Sequence, residues 1–260
     1  MESFKTGFIG CGNMASAIIG GMEKAGFTDL FIYDKDQAKC KKFEGASLCQ
    51  NVNEVAEKAD IIFLCVKPNV LPDVLQEIKA EGKAFVSIAA GVRTEKIRDL
   101  LKPAGRIMRI MPNTPLLVGK GAICIQIPTD FTEQEQNFIE HIFQPLGIIE
   151  YVSGDLMDSV TGISGSGPAY VYMFIDALAK AGAKHGLPED VSLRLAVQTF
   201  EGACEMLKQT GDTPSQLIHN VCSPGGTTIE AMKIFDMNET RGVVEWAVDA
   251  CVAKSRELSK

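Results

Sequence analysis

A glycine-rich turn lies near the start of the chain, in Gly10-Cys11-Gly12-Asn13-Met14-Ala15, and has the pattern G-x-G-x-x-A. In this pattern the first glycine allows a tight turn, the second lets a pyrophosphate approach the backbone, and the small last residue lets the following helix pack close to the strand. The phosphates would lie on exposed amides at the positive end of that helix. The turn therefore predicts dinucleotide binding, with an ordinary glycine turn as the alternative.

The neighbouring elements support the dinucleotide interpretation. A strand at residues 4–9 precedes the turn, a helical run at 16–22 follows it, and a second strand at 29–33 ends in Asp34. An acidic residue at that place meets the adenosine ribose, which favours a free 2′-hydroxyl and hence NADH. Lys35 and Lys39 lie next to it and could instead bind the 2′-phosphate of NADPH. We favour NADH slightly and keep NADPH open, and a solvated strand end is the alternative for Asp34.

A second candidate site is the run Ser223-Pro224-Gly225-Gly226-Thr227-Thr228. It lies between predicted helices at 213–221 and 227–235, so its free amides would stand at the N-terminus of the second helix. Such a backbone suits a carboxylate. The alternative is a plain helix start at which Thr227 or Thr228 acts as the N-cap.

Composition excludes several classes of protein. The net charge of -7 argues against nucleic acid and anionic membranes as partners. The eight cysteines are scattered without a C-x-x-C pair, which indicates reduced thiols in a cytosolic protein. The three histidines lack ligand neighbours, so we expect no metal site. Apolar runs are strand-sized, and the first strand begins by residue 4, so we expect no membrane span, no signal peptide and cytoplasmic residence.

The first half of the chain alternates strands and helices. Its continuous apolar runs are typical of parallel strands that are buried on both faces. This pattern predicts a doubly wound sheet whose strand ends face one crevice. The predicted strands lie at 4–9, 29–33, 46–49, 60–66, 84–88, 106–110, 122–127 and 148–152, and the helices at 16–22, 37–43, 53–58, 71–79, 94–101 and 133–143.

The composition changes near residue 162, beyond which strand signals are almost absent. We therefore predict a dinucleotide-binding domain over 1–162 and a helical domain over 163–260. The helix at 169–184 is apolar on nearly every face and must be buried all round. The short helical region can hardly bury it alone, which indicates a core completed by a second subunit. The other predicted helices lie at 188–208, 213–221, 227–235 and 241–258.

Taken together, the motifs resemble the pyrroline-5-carboxylate reductase family over essentially the whole chain. The resemblance rests on short segments in the right order: 7–14, Val66-Lys67-Pro68, 89–92, 109–115, 161–170 and the 223–228 run. It implies an α/β Rossmann-type doubly wound sheet followed by an all-helical dimerisation domain. The implied partner is a second copy, in an intertwined homodimer through the helical domain, and dimers can assemble further.

The resemblance also implies an activity and a cofactor site. In this family a hydride passes from NADPH or NADH to the C=N carbon of a cyclic imine carboxylate, which gives L-proline. The protein mainly orients the reactants. The implied cofactor-binding residues are Gly10, Cys11, Gly12, Asn13, Met14, Asp34, Lys35, Asn53, Val66, Lys67, Pro68, Ala89, Ala90, Gly91, Pro112, Asn113 and Thr114. For 111–115 a rigid turn that needs proline and asparagine is the alternative.

The implied substrate site is the second motif. Its implied residues are Val221, Ser223, Gly225, Gly226, Thr227 and Thr228. The amides would hold the substrate carboxylate, and the catalytic residue, Thr228, would present its hydroxyl to the ring nitrogen. A strong general acid is not obligatory, because a cyclic imine is basic enough to enter partly protonated.

Two other functions remain to be tested. One is another imine reductase or a β-hydroxyacid dehydrogenase with the same two-domain plan. Those enzymes need a catalytic lysine at the inter-domain helix, whereas Lys180 and Lys184 lie late on the helix. The other is a non-catalytic nucleotide-binding dimer that regulates a partner, which would have no need of a carboxylate site at 223–228.

Overall fold

The predicted strands of the first half form one eight-stranded sheet, in the order β3-β2-β1-β4-β5-β6-β7-β8. The structure is a computed structural model that describes residues 3–102 and 104–259. The strands are β1 (Thr6–Ile9), β2 (Leu30–Tyr33), β3 (Ser47–Leu48), β4 (Ile61–Leu64), β5 (Ala84–Ser87), β6 (Arg106–Met111), β7 (Gly121–Ile127) and β8 (Gly147–Ser153).

The strand directions place a switch point between β1 and β4. β1 pairs in parallel with β2 on one side and with β4 on the other, and β5 and β6 continue the parallel array. β7 runs antiparallel to β6, and β8 follows β7. The expectation that all strand ends face one crevice was therefore wrong for the last two strands. The link at 112–120 is too short for the helical crossover that a parallel partner needs.

Helices cover both faces of this sheet. Alternating strand residues point into two apolar layers, with Phe8 and Phe63 in one and Ile9 and Leu64 in the other. Burial on both faces explains why the central strands β1, β4 and β5 are almost continuously apolar. The helices of this part are α1 (Asn13–Lys24), α2 (Val52–Lys58), α3 (Leu71–Glu77), α4 (Thr94–Leu100), α5 (Glu133–Phe143) and α6 (Met157–Val160).

The helix predicted at 37–43 does not form. Only a 3-10 turn spans Gln37–Lys39, and the backbone bonds from Lys39 and Cys40 reach back three residues to Asp36 and Gln37. Cys40 and Phe43 are both buried in the core, which such a chain of tight turns satisfies. A segment this short gains too few helical bonds to offset the cost of nucleation.

The described chain divides into two compact units, Met1–Ser166 with Cys251–Lys260, and Gly167–Ala250. The predicted division at 162 differs from this at residues 163–166 and at 251–260, which belong to the first unit. The second unit is helical. Its helices are α7 (Gly167–Lys184), α8 (Glu189–Thr210), α9 (Pro214–Val221), α10 (Thr227–Met237) and most of α11 (Thr240–Leu258).

The second unit leaves an unusual amount of apolar surface exposed in the single chain. Among its residues only Ala179, Ser192 and Ala196 are buried. Large side chains such as Tyr172, Met173 and Trp246 are about 60% exposed (60%, 59% and 61%). Contiguous apolar surface of this kind marks an interaction site.

We expect this unit to make the protein an obligate dimer. Sedimentation should show no stable monomer at micromolar concentration, because separation would return the apolar helix faces to water. Met173→Glu should shift the protein toward smaller species or aggregates, whereas Lys184→Glu, at the exposed end of the same helix, should not. A stable wild-type monomer at micromolar concentration would contradict the prediction.

Within the described residues, no helix combines the length and the apolar character that a membrane crossing demands.

Candidate functional site

A cleft of about 430 Å³ opens beside the carboxyl ends of β1, β2 and β4 in the first unit. Crevices at such a switch point are where doubly wound sheets bind ligands. Six of the predicted cofactor residues line this cleft: Gly10, Gly12, Asp34, Lys35, Val66 and Lys67. Other lining residues were not predicted, namely Ile9, Tyr33, Val52, Cys65, Val70, Asp73, Val74 and Glu77. Lys39, noted above for its charge, also lines it.

Gly10 is the tightest point of the glycine turn. Its φ is +97°, and a Cβ atom there would lie 2.7 Å from the carbonyl oxygen of Cys65. Its N–H donates to the carbonyl of Tyr33 at 2.8 Å. A larger residue would force β1 and β4 apart at the switch point, which gives the first glycine of the motif its physical role.

The helix after the turn begins without a cap. α1 starts at Asn13 after the N-cap residue Gly12, which has no side chain that could cap the first turn. Gly12 and Asn13 are exposed and Met14 is half-buried. The first-turn N–H groups and the helix dipole are therefore free to receive an anion such as a pyrophosphate.

The carboxylate of Asp34 accepts a hydrogen bond from the glycine turn. Its Oδ2 accepts from the backbone N–H of Cys11 at 2.8 Å, and its Oδ1 accepts from the N–H of Asp36 at 2.9 Å. Lys39 Nζ lies 3.7 Å from Asp34 Oδ1. The Cys11 amide is thus engaged by Asp34, which leaves the later amides of the turn for phosphate. Each carboxylate oxygen keeps a second lone pair that can accept from a ribose hydroxyl.

The Cys11 side chain points into the core. Its Sγ lies 3.4 Å from the Sγ of Cys40, and both residues are buried. Burial, with Cys40 as the next contributor, raises the pKa of the Cys11 thiol. Such a thiol is a packing group and a poor nucleophile.

Asn53 does not line the cleft. Its Nδ2 donates to Glu57 at 2.7 Å and its Oδ1 accepts from the Lys79 N–H at 2.9 Å, which ties α2 to the residues after α3. Because Asn53 does not line the cleft, the adenosine contact gains no support from the structure. By contrast, Asp73 and Glu77 lie four residues apart on α3 and do line the cleft. The sequence could have predicted this, because two acidic residues four positions apart lie on one face of the helix that follows Lys67-Pro68.

The residues predicted near the nicotinamide follow β5 and β6, which lie beyond β4 and away from β1 and β2. Ala89, Ala90 and Gly91 follow β5, and Pro112, Asn113 and Thr114 follow β6. Because β5 and β6 are parallel neighbours, these turns leave the same edge of the sheet. The Asn113 amide accepts from the Ala122 N–H at 2.9 Å and donates to the Ser164 carbonyl at 3.0 Å. Its side chain is therefore a rigid part of the turn.

In the second unit, all predicted substrate residues lie between the end of α9 and the first turn of α10. Val221 ends α9, and Ser223, Gly225 and Gly226 form the turn. The Gly226 N–H donates to the Ser223 carbonyl at 3.0 Å. Gly226 is the N-cap, and no side chain caps the helix, so Thr227 and Thr228 do not act as caps. The helix start is open to a carboxylate.

Thr228 is half-buried in the first turn of α10, and its hydroxyl has no hydrogen-bond partner among residues 3–102 and 104–259. A hydroxyl in that state can either donate or accept. Across the same described ranges, no group of three or more His, Cys, Asp or Glu is placed to hold a metal ion.

Comparison with known proteins finds full-length relatives. A family model described as pyrroline-5-carboxylate reductase dimerisation matches residues 154–258, and one described as NADP oxidoreductase, coenzyme F420-dependent, matches residues 5–91. The chain is 39% identical to the pyrroline-5-carboxylate reductase of Escherichia coli strain K12, with 98% of each chain covered. It is 39% identical to that of Glycine max, with 99% of this chain and 97% of the relative covered.

A solved structure of similar shape is the pyrroline carboxylate reductase of Plasmodium falciparum with NADP bound. It matches with a TM-score of 0.92 at 34% identity, and all of both chains is covered. The sheet and the helical dimerisation domain therefore match relatives of one kind over their full length, and the chain belongs to the pyrroline-5-carboxylate reductase family.

Proposed function

We propose that this chain reduces the cyclic imine 1-pyrroline-5-carboxylate to L-proline with NAD(P)H, the last step of proline biosynthesis. The observation that carries the proposal is the uncapped start of α10 behind Ser223–Gly226, in a chain whose first unit holds a dinucleotide cleft. One site suits a substrate carboxylate and the other suits the cofactor. The chain acts on a small molecule and forms a homodimer through its dimerisation domain.

The first unit holds the cofactor in this proposal, and the reduced nicotinamide supplies the hydride. The amides of Gly12, Asn13 and Met14 receive the pyrophosphate at the start of α1. Val66, Lys67 and Pro68, at the end of β4, border the phosphates and a ribose. The turn at 89–91 leaves flat room for the nicotinamide, and 112–114 form the floor. Orientation of the two reactants is the main contribution of the protein.

The loop of the second unit holds the imine. The backbone N–H groups around Ser223, Gly225 and Thr227 donate to the carboxylate, which the helix dipole also favours, while the Gly226 N–H closes the turn on the Ser223 carbonyl. Thr228 faces the ring nitrogen. Its hydroxyl oxygen accepts a hydrogen bond from the N–H of the protonated imine, or its O–H donates to the lone pair of the amine. Hydride addition to the protonated imine gives the amine directly, so no strong acid such as histidine is needed.

We propose that NADH is the preferred cofactor, with NADPH as the alternative. The charge of Asp34 at the ribose end repels a 2′-phosphate, although Lys35 and Lys39 line the same cleft. Asp34→Ser should therefore raise the NADPH-to-NADH ratio of kcat/KM by about tenfold, equivalent to ~1.4 kcal/mol. Steady-state kinetics with both cofactors measures the ratio.

The structure adds a control, because Asp34 also accepts from the Cys11 and Asp36 amides. Asp34→Asn removes the charge and keeps an oxygen that can accept, so it should shift the ratio without weakening NADH as much as Asp34→Ser. Glu44→Gln, at an exposed carboxylate that does not line the cleft, should leave the ratio nearly unchanged. An unchanged ratio in both Asp34 variants would mean that Asp34 does not meet the ribose.

We further propose cytoplasmic residence, assembly of dimers into a larger oligomer, and no nucleic-acid or membrane partner. The eight free cysteines support a reducing compartment, and the net charge of -7 disfavours polyanions.

One assay tests the function against its alternatives. The protein is mixed with the imine and either NADH or NADPH, and loss of nicotinamide absorbance is followed. Proline formation supports the proposal. Cofactor binding without turnover of any imine would favour the non-catalytic dimer. Turnover of acyclic imines or β-hydroxyacids, with 1-pyrroline-5-carboxylate untouched, would favour the related dehydrogenases.

A further inference from the structure

The last turns of α11 pack into the first unit through a buried polar bond. Ser255 Oγ donates to Asp158 Oδ1 at 2.6 Å, and the two residues are 3% and 6% exposed. Nearby, Cys251 Sγ lies 3.0 Å from Ser166 Oγ. A hydrogen bond to a buried carboxylate is one of the stronger kinds in proteins, so Ser255 fixes where this end of the helix lies.

The same helix end presses against the turn after β5. Gly91 has a φ of +70°, and a Cβ atom there would lie 2.8 Å from the Cβ of Leu258 and 2.9 Å from the carbonyl oxygen of Ser255. The backbone of Gly91 is therefore in close contact with the turn that contains Ser255. Any movement of that turn changes the space in which residues 89–91 sit.

Asp158 also faces a buried cation. Arg109, on β6, is 4% exposed. Burial lowers the pKa of its guanidinium, and the carboxylate of Asp158 opposes this effect. Arg109 pairs with Ser87 across β5 and β6, and both strands lead into the turns predicted near the nicotinamide. Asp158 therefore accepts a hydrogen bond from Ser255 and also contributes a favourable charge to buried Arg109.

We infer that Ser255 is a positioning residue: its bond to Asp158 holds the end of α11 against Gly91, and so sets the conformation of residues 89–91 that receives the nicotinamide. The inference rests on the proposed function for the placement of the nicotinamide at 89–91. The competing explanation is that Ser255 only anchors the end of α11. In that case its loss would change the free energy of unfolding and would leave unchanged the ratio between the Kd for NAD(P)H and the Kd for ADP-ribose, which lacks the nicotinamide.

The test compares two ligands that differ by the nicotinamide. Kd is measured by calorimetry for the preferred NAD(P)H and for ADP-ribose, or for its 2′-phosphate if NADPH is preferred. Ser255→Ala should weaken NAD(P)H about fivefold and lower kcat about tenfold, because a misplacement near 1 Å costs up to ~100-fold. ADP-ribose binding should change less than about twofold, because its contacts lie at β1, β2 and β4.

Ser192→Ala is the matched control. Ser192 is also 3% exposed, and its hydroxyl donates to the Ala179 carbonyl at 2.6 Å in the second unit. Its loss should leave both Kd values and their ratio unchanged. Ser255→Cys, which keeps a weak S–H donor, should give a change between those of wild type and Ser255→Ala. It also replaces Ser255→Ala in the comparison if the alanine variant does not fold.

Two results would overturn the inference. One is equal weakening of NAD(P)H and ADP-ribose in the Ser255 variants. The other is an unchanged Kd ratio with unchanged kcat. The binding ratio needs no imine turnover, so it stands apart from the proposed reaction. A wild-type protein that binds neither NADH nor NADPH would instead overturn the proposed function itself.

Discussion

Thr228→Ala should lower kcat for imine reduction by about 100-fold, the low end for a group positioned at a proton-bearing atom. Thr228 is half-buried in the first turn of α10, and its hydroxyl has no partner in the part of the chain that the structure describes. Removing it takes one hydrogen-bonding group from the ring nitrogen as the imine becomes an amine. The Kd for NAD(P)H should barely change, since the cofactor residues lie in the first unit.

The fold should survive the Thr228 substitution, because Gly226 is the N-cap of α10 and no side chain caps that helix. Thr213→Ala is the matched control. Thr213 does cap its helix, accepting from the Gln216 N–H at 3.2 Å. Its loss should cost about 0.5–2 kcal/mol of stability and leave kcat nearly unchanged. Thermal unfolding and steady-state kinetics separate the two effects.

Thr228→Ser should restore most of the lost kcat, because it returns the hydroxyl. If Thr228→Ala instead keeps kcat and loses NAD(P)H binding, or dissociates the dimer, then Thr228 has a structural role and the active site lies elsewhere.

Substrates without the carboxylate should be reduced at least about 100-fold less efficiently than the acid, measured as kcat/KM. The open start of α10 offers charge-assisted bonds worth ~1.5–3 kcal/mol each, and each 1.4 kcal/mol is tenfold. Two such bonds therefore account for the expected loss. The methyl ester and the decarboxylated ring, 1-pyrroline, are assayed beside the acid with saturating cofactor.

The two analogues control for each other. The ester adds bulk and removes the charge, whereas 1-pyrroline removes both the charge and the group that carries it. A loss seen only with the ester would indicate a steric effect. Equal kcat/KM for the acid and both analogues would show that the loop at 223–226 does not bind the carboxylate.

Much of the fold was determined by local sequence patterns. The apolar patterns predicted eight strands, and all eight form. Burial on both faces explains the continuous apolar runs of the central strands β1, β4 and β5, whereas β3 and β8 at the two edges have no buried residue. The sequence of α7 by itself indicated a second subunit, since a helix that is apolar on nearly every face cannot be left in water. The glycine turn and the 223–228 run were recognisable because they need particular backbone freedom over a few consecutive residues.

Contacts between distant residues were decided only by the tertiary structure. The bond from the Cys11 amide to Asp34 joins residues 23 apart, and the bond from Ser255 to Asp158 joins residues 97 apart. β7 runs antiparallel to β6 because the link between them, at 112–120, is too short for a helical crossover. The Asn53 amide accepts from the backbone N–H of Lys79, which lies 26 residues away in the sequence. The sequence names the groups available for bonding, whereas packing of the whole chain selects which of them meet.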